Sequence, residues 1–183
     1  MAALAVPGGV VAYPTETVWG LGGQACDGEA ALRLATLKGR DRLPLVVLVA
    51  GVPVGLPPVA AALASALWPG PVTLILPASL VPGLAPQVLA PDGTVGLRWS
   101  PHPVVSALVE AVGPLTSTSA NAHGQPPVDD PALLPFAVDA VAPGTPGGGS
   151  PSTVVHGTTG QFLRAGEASN SVARILADLG LQR

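Results

Sequence analysis

Short apolar runs and helically spaced apolar stripes alternate along the chain. The runs are rich in Val and Leu and are bounded by Gly and Pro, which is typical of buried strands. In the stripes, apolar residues recur at the spacing of one helix face. The pattern predicts strands at 10–13, 45–49, 72–76, 94–99, 115–119, 138–141, 153–155 and 161–164, and helices at 29–37, 59–67, 103–112, 130–136 and 171–179.

The alternation of strands and helices predicts an α/β fold with helices packed on a central sheet. Asp27 is predicted to cap the helix at 29–37. The connection between the strands at 153–155 and 161–164 is too short for a helical crossover, which predicts a mixed rather than a wholly parallel sheet. The segment 143–151, PGTPGGGSP, lies between two predicted strands, so we expect a mobile loop and not a domain boundary.

The composition is that of one ordered domain. The 183 residues are 48% hydrophobic and 10% charged, which suits a single core and excludes disorder. A net charge of −3 with eight Lys and Arg residues excludes a broad basic face for nucleic acid, although a small electropositive pocket stays possible. The single cysteine, Cys26, excludes an intramolecular disulfide and a cysteine zinc cluster, and we expect it to be buried or half-buried.

Several kinds of site and location are excluded by what the sequence lacks. No run free of Gly and Pro approaches the length of a membrane span, and the N-terminus has no basic region of a signal peptide, so we expect a soluble, cytoplasmic protein. His102, His123 and His156 do not have metal-ligand spacing. The chain has no P-loop, no Rossmann fingerprint and no convincing Ser-His-Asp order, so a nucleotide site would use other residues.

Two polar clusters near the N-terminus have both an ordinary and a functional interpretation. Thr15, Glu16 and Thr17 follow the first predicted strand; they could form a solvated turn, or their hydroxyls could donate to a ligand carboxylate. Lys38 and Arg40 follow the first predicted helix. A favourable interaction with the helix dipole explains Lys38 better than Arg40, which lies beyond the helix, and two cations so close could also hold an anion.

Arg98 is the single charge in an otherwise apolar predicted strand. An unpaired buried guanidinium is very costly, so Arg98 must reach solvent or meet an anion in a cleft. We favour the cleft, because the segment 117–121, STSAN, could form an anion-binding turn at a strand end; an ordinary Ser/Thr turn is equally consistent with it. Ser152 and Arg164 likewise have an ordinary interpretation, Ser152 as a loop residue and Arg164 as a surface cation.

Together these segments resemble one known family, YrdC/Sua5, the threonylcarbamoyl-AMP synthases. The matching motifs follow the family's order and are PTETVWGLG at 14–22, KGR at 38–40, WPGPVTLIL at 68–76, VGLRWSPHP at 95–103, STSAN at 117–121, STVV at 152–155 and LRAG at 163–166. The resemblance covers roughly residues 8–168. It implies a single YrdC-like domain over 1–183 with no additional C-terminal domain, and a three-layer α/β fold whose twisted mixed sheet is flanked by helices, as in YrdC and RibB.

The resemblance also implies an activity. Members combine L-threonine, bicarbonate or CO2, and ATP into threonylcarbamoyl-AMP and pyrophosphate, with Mg2+ held mainly by the ATP phosphates. A tRNA threonylcarbamoyl transferase complex then moves the group to adenosine 37 of tRNAs that read codons beginning with A. Because the enzyme mainly orients substrates and neutralises charge, we assign no nucleophile, no general base and no protein metal ligand.

By motif position, the resemblance divides the polar residues between two ligands. The L-threonine site would comprise Thr15, Thr17, Arg98, Ser117, Thr118 and Ser152. The ATP site would comprise Lys38, Arg40, Thr94, Ser119, Asn121 and Arg164. Arg98 would clamp the threonine carboxylate in the bidentate geometry that a guanidinium favours.

The chain departs from the family pattern mainly on the amino-acid side. Four single positions differ: Trp19 replaces a common Tyr, Asp41 a common Pro, His156 an Asp and Ala165 a Pro. In addition, Leu43-Pro44-Leu45 and Leu48 stand where longer members have Asn-Pro-Leu followed by a His that contacts threonine.

The alternative function is a non-catalytic module that binds double-stranded RNA or tRNA. The acidic net charge would keep such binding weak. A third is a carbamoyl-transfer domain like those of hydrogenase maturation factors, which normally come with other domains.

Overall fold

The computed structural model describes residues 1–39, 45–122, 125–128 and 130–181. The strands in these residues are β1 (Val11–Pro14), β2 (Trp19–Gly22), β3 (Val46–Leu48), β4 (Val72–Pro77), β5 (Thr94–Arg98), β6 (Leu115–Ser119), β7 (Ala140–Val141), β8 (Thr153–His156) and β9 (Phe162–Arg164). The α-helices are α1 (Gly28–Leu37), α2 (Pro58–Leu67), α3 (Pro103–Val112) and α4 (Ser169–Asp178). Short 3-10 helices lie at Ala2–Ala5, Ala78–Leu80, Pro86–Val88 and Pro131–Leu133.

These strands form one mixed sheet in the order β7-β1-β2-β6-β3-β5-β4-β8-β9. The pairs β1–β7, β3–β5 and β4–β8 are parallel, and the remaining neighbours are antiparallel. The short link between β8 and β9 makes the antiparallel pair that its length predicts. The expected mixed sheet is therefore confirmed.

Helices cover the two faces of the sheet unequally. Successive strand residues point to opposite faces, and in β3 Val47 packs into one core cluster while Leu48 packs into another. The larger cluster includes residues of α1, α2 and α4. The smaller cluster includes Val105 and Leu108 of α3 against Val11 of β1. The predicted three-layer arrangement is confirmed, with α3 alone supplying α-helical residues to the smaller core.

Two helices have the terminal signals that the sequence predicts. The Asp27 side chain caps α1 by accepting hydrogen bonds from the backbone N–H groups of Glu29 and Ala30. Pro103 occupies the first turn of α3, where a missing N–H costs nothing. Helix α3 ends at Gly113, whose φ of 81° is a left-handed conformation that favours glycine. The bounds of α3 and β6 agree with the predicted ranges.

Strand β2 is not predicted, because its two glycines resemble a turn. Gly22 is nevertheless required by close packing inside the sheet. A Cβ atom there would lie 1.8 Å from the Thr116 carbonyl oxygen and 2.8 Å from the Tyr13 hydroxyl. Glycine therefore allows β2 to insert between β1 and β6, which brings the turn after β1 beside the centre of the sheet.

Smaller differences concern the last third of the chain and the cysteine. The helix expected at 130–136 is one 3-10 turn, Pro131–Leu133, capped by the Asp130 side chain. The expectation for Cys26 is wrong: its side chain is exposed in the turn before α1, with its sulfur 3.3 Å from the Gln24 Oε1 atom. Among the described residues, no helix has both the length and the apolar character to cross a bilayer.

Candidate functional site

A cleft of about 160 Å3 opens on the α3 face of the sheet, where that helix does not cover it. Successive side chains of a strand point to opposite faces of the sheet, and polar residues of the strands point to this face. In β5, Val95 and Leu97 enter the large core, so Arg98 points to the opposite face. The cleft is lined by Thr15, Thr17, Val18, Trp19, Gly20, Val46, Arg98, Ser117, Thr118, Ser119, Pro151, Ser152 and Arg164.

Most residues predicted for the two ligands therefore meet in one place. The cleft contains all six residues assigned to L-threonine and, of those assigned to ATP, Ser119 and Arg164. They come from the β1–β2 turn, the end of β5, the end of β6 and the segments around β8 and β9. The sequence separates these segments widely, and the sheet brings them together.

Arg98 is buried, with 6% of its surface exposed, and it forms an ion pair that the sequence analysis missed. Its Nε and Nη2 atoms donate to Glu16 Oε1 at 3.1 and 2.6 Å, and Nη2 also donates to the Thr17 hydroxyl at 3.1 Å. The Ser100 hydroxyl donates to Glu16 Oε2. The anion that Arg98 requires is thus supplied by the protein. Glu16 does not appear among the lining residues.

The turn that carries Glu16 is held by its own threonines. Thr15 Oγ1 accepts hydrogen bonds from the backbone N–H groups of Thr17 and Val18, at 3.1 and 3.2 Å. It donates to the Val18 carbonyl at 2.7 Å and lies 2.9 Å from Thr17 Oγ1. Thr15 therefore combines the ordinary turn role with a position in the cleft wall.

The glycine-rich segment 143–151 lies against this turn. The N–H groups of Gly147 and Gly148 donate to the carbonyls of Thr15 and Thr17, at 3.0 and 2.9 Å. A Cβ atom on Gly147 would lie 2.1 Å from the Glu16 carbonyl oxygen. Nothing in the structure tests the expected mobility of this loop, but its contacts join it to one wall of the cleft.

Arg164 enters the cleft from β9 and has a different environment. Its Nε and Nη2 atoms donate to the Ser152 carbonyl at 3.2 and 2.9 Å, and Nη2 donates to the Ser152 hydroxyl at 3.1 Å. That hydroxyl lies 2.9 Å from Thr73 Oγ1. Partial burial and the nearby Arg98 lower the pKa of Arg164 from its ordinary value. Its hydrogen bonds to Ser152 go to neutral acceptors, so the positive charge of Arg164 favours an anionic ligand in the cleft.

Lys38 caps the C-terminus of α1, and its side chain reaches the end of β6 without lining the cleft. Its ammonium donates to the Ser119 carbonyl at 2.9 Å and to the Asn121 carbonyl, and it lies 5.5 Å from the centre of the Phe136 ring. The Asn121 Nδ2 group donates to the Gln125 carbonyl. Among the described atoms, Asn121 Oδ1 is buried without a hydrogen-bond partner. Lys38 thus supports the segment that leads out of the cleft.

Arg40 and Thr94 are the two remaining residues assigned to ATP. Arg40 lies outside the described residues. Thr94 is at the opposite end of β5 from Arg98, about 13 Å along an extended strand, and its hydroxyl donates to Asp92 Oδ1 at 2.7 Å. Hydrogen bonds from Thr94 lower the pKa of the exposed Asp92 carboxyl. Thr94 therefore does not line the cleft, and its assignment to ATP stays a prediction.

Sequence reasoning missed Glu16, Ser100 and Thr73. A signal for Glu16 existed, since a buried arginine needs a counter-ion and the cluster at 15–17 contains a carboxylate. Ser100 follows β5 and Thr73 lies within β4, and neither gave such a signal, because single hydroxyl residues in or near strands are common. Their roles follow from the distances to Glu16 and Ser152.

The fold and the site define a three-layer α/β protein with a cleft of arginines and hydroxyls on one face of its sheet. The chain belongs to the Sua5/YciO/YrdC family, because the sequence model of that family, described as telomere recombination, matches residues 4–166.

The most similar relatives include proteins named threonylcarbamoyl-AMP synthase. One from Xanthomonas campestris pv. campestris is 42% identical over 176 residues, covering 86% of this chain and 91% of the relative. One from Halorhodospira halophila is 39% identical over 171 residues, covering 86% and 88%.

Solved structures of the family have the same fold. Escherichia coli YciO superposes with a TM-score of 0.74 at 27% identity, covering 90% of this chain and 87% of YciO. Sua5 from P. abyssi, crystallised in complex with L-threonine, superposes with a TM-score of 0.70 at 32% identity. That match covers 87% of this chain and 51% of Sua5, so the chain spans about half of the longer protein.

Proposed function

We propose that this protein is a threonylcarbamoyl-AMP synthase, a nucleotidyltransferase that uses L-threonine, bicarbonate or CO2, and ATP. The observation that carries the proposal is the convergence of Arg98, Arg164 and the hydroxyls of Thr17, Ser117 and Ser152 on one cleft. Relatives of that name, similar over nearly their whole length, support it.

The chemistry needs orientation and charge neutralisation more than a reactive side chain. The threonine amine adds to the carbon of CO2 and loses a proton, which gives a carbamate. A carbamate oxygen then attacks the α-phosphate of ATP, and the bond to pyrophosphate breaks. Arg98 would hold the threonine carboxylate, while Arg164 would face the phosphates. Such preorganised cations lower the barrier by stabilising developing charge.

The cleft's size supports a division between an inner and an outer ligand. About 160 Å3 is below the roughly 300–1,000 Å3 of common ligand pockets, so it suits an amino acid better than a nucleotide. ATP would extend outward past Ser119 and Asn121, towards Lys38. The buried Asn121 Oδ1 atom would find a donor there, such as an adenine amino group.

Magnesium would arrive with the nucleotide. The described residues contain no group of three His, Cys, Asp or Glu side chains that could hold a metal, so the residues present do not form a magnesium site of their own. No step above depends on a protein-bound metal. The product would pass to a tRNA threonylcarbamoyl transferase complex in the cytoplasm.

An RNA-binding role has less physical support. Long nucleic acid is held by exposed cations on a continuous face. Here Arg98 is buried against Glu16, and Arg33 is paired with Asp139. These ion pairs reduce the positive charge that is available to a phosphate backbone.

The deciding experiment measures pyrophosphate release by the purified protein. With ATP, L-threonine and bicarbonate together, we expect release and a new product with the mass of threonylcarbamoyl-AMP. Omitting any one substrate should abolish both signals. Release that does not depend on threonine would contradict the proposal. Filter binding of tRNA at two salt concentrations tests the alternative, and we expect weak retention at both.

A further inference from the structure

Glu16 has an unusual position for a glutamate in a turn. Both of its carboxylate oxygens are used inside the protein, Oε1 by Arg98 and Oε2 by Ser100. Only 15% of the side chain is exposed. A turn glutamate normally stays in water, and burying its charge is costly unless partners offset the cost. The contacts with Arg98 and Ser100 therefore hold the carboxylate in place.

The contacts of Glu16 fix the guanidinium of Arg98 in one orientation. Glu16 bonds to Nε and Nη2, and the Thr17 hydroxyl bonds to Nη2 as well. Within the described part of the chain Nη1 has no hydrogen-bond partner, so it is the nitrogen left for a ligand. Ser100 in turn fixes Glu16, and its hydroxyl also accepts the backbone N–H of His102 at 3.2 Å. A chain of hydrogen bonds thus leads from the start of α3 to the cleft.

The same contacts change the charge that a ligand meets. The ion pair of Arg98 and Glu16 has almost no net charge. It therefore attracts a carboxylate mainly through a directed hydrogen bond and only weakly through net charge. A phosphate group carries more negative charge and would be repelled by the nearby carboxylate. Arg164 has only neutral acceptors in its bonds to Ser152, so it keeps its attraction for phosphate.

We propose that Glu16 is a positioning and specificity residue that orients Arg98 and reserves it for a carboxylate, excluding phosphate groups from the amino-acid end of the cleft. This inference rests on the proposed function, because it takes L-threonine and ATP as the two ligands. Specificity of this kind needs a repulsive element as well as an attractive one, and Glu16 supplies the repulsion.

The test compares the wild-type protein with Glu16→Gln, which keeps the side-chain shape and removes the charge. We expect the apparent KM for L-threonine to rise roughly tenfold, since a charge-assisted hydrogen bond to Arg98 is lost. Inorganic phosphate should become a competitive inhibitor against L-threonine in the variant, and it should not compete with L-threonine in the wild type. A purely structural role would not create this new competition.

The matched control is Glu110→Gln on the exposed side of α3, which removes the same charge away from the cleft. It should leave both readouts unchanged. If Glu16→Gln does not fold, as judged by its thermal midpoint, Ser100→Ala provides the second test. It frees one oxygen of Glu16 and should move both readouts in the same direction by a smaller amount.

The outcomes separate this inference from the proposed function. If calorimetry finds no binding of L-threonine to the wild type and no threonine-dependent pyrophosphate release, the proposed function fails. If the wild type is active and the variant lowers the KM for L-threonine, Glu16 competes with the ligand and the inference is overturned. Unchanged KM and no phosphate competition would overturn it as well.

Discussion

Two arginines face one cleft with different partners behind them. Arg98 is buried against a carboxylate, whereas Arg164 is bonded to the neutral carbonyl and hydroxyl of Ser152. Burial and, to a smaller extent, the charge of Arg98 lower the pKa of Arg164. Two arginines in the same site can thus offer different amounts of positive charge to a ligand, because the residues that contact them differ. This difference supports the proposal that Arg98 binds a carboxylate and Arg164 faces phosphate.

Arg98→Ala should give the largest effect on this contrast. Removing Arg98 leaves Glu16 buried without its partner, so we expect a stability loss of about 3–5 kcal/mol. The apparent KM for L-threonine should rise more than that for ATP. Urea unfolding and steady-state kinetics measure the two effects. The double variant with Glu16→Ala should recover part of the stability, and a purely additive loss would contradict the ion-pair account.

Gly147→Ala should disturb the wall beside Arg98. A Cβ atom 2.1 Å from the Glu16 carbonyl forces segment 143–151 away from the turn. We expect a several-fold rise in the KM for L-threonine with a smaller change in unfolding free energy. Gly51→Ala is the control, because nothing lies within 4 Å of a Cβ there. Equal effects of the two substitutions would show that the loop contact is unimportant.

Arg164→Ala should produce the opposite kinetic pattern at little cost in stability. Arg164 is solvent-accessible, and its removal leaves only neutral acceptors on Ser152, whose hydroxyl keeps its contact with Thr73, so the unfolding free energy should fall by about 1 kcal/mol. The KM for ATP should rise more than that for L-threonine. If the threonine KM alone changes, the assignment of the two ends of the cleft is reversed.

The smallest effect is expected at the exposed ion pair outside the cleft. The Arg33 hydrogen bond, with a further bond from the Val10 N–H, holds the pKa of Asp139 below its ordinary value. Ionised Asp139 therefore stabilises the fold above its unfolded pKa of about 3.9, and this contribution is lost as pH falls through the lower folded pKa.

Asp139→Asn should accordingly lower the unfolding free energy at pH 7 by less than about 1 kcal/mol, because both partners are partly exposed. Urea titrations at pH 7 and below about pH 3 should show the difference shrinking in acid. Asp178→Asn at the exposed end of α4 is the control. A loss that persists unchanged in acid would assign the effect to packing and not to charge.

The sequence predicts most of the fold because burial imposes regular periods. Helix α3 and strand β6 are predicted to the residue, since their apolar positions and terminal signals agree. Strand β2 is not predicted from the sequence, because Gly20 and Gly22 are required by contacts with other strands and not by local propensity.

The site is predicted less completely for the same reason. Hydroxyls and cations mark Thr17, Arg98 and Ser117 as candidates, but a sequence does not reveal which carboxylate pairs with which arginine. The Glu16–Arg98 pair spans 82 positions. Thr94 directly precedes the matching segment at 95–103, but the length of β5 places it far from the cleft, and its assignment to ATP stays a prediction.

The position of β8 and β9 at one edge of the sheet has a consequence for biosynthesis. The turn at 15–17 leaves the ribosome long before Ser152 and Arg164, which line the same cleft. Strand β8 docks on β4, made some 80 residues earlier. A nascent chain therefore carries an incomplete cleft until β8 and β9 have been made, and the cleft gains its full lining only then.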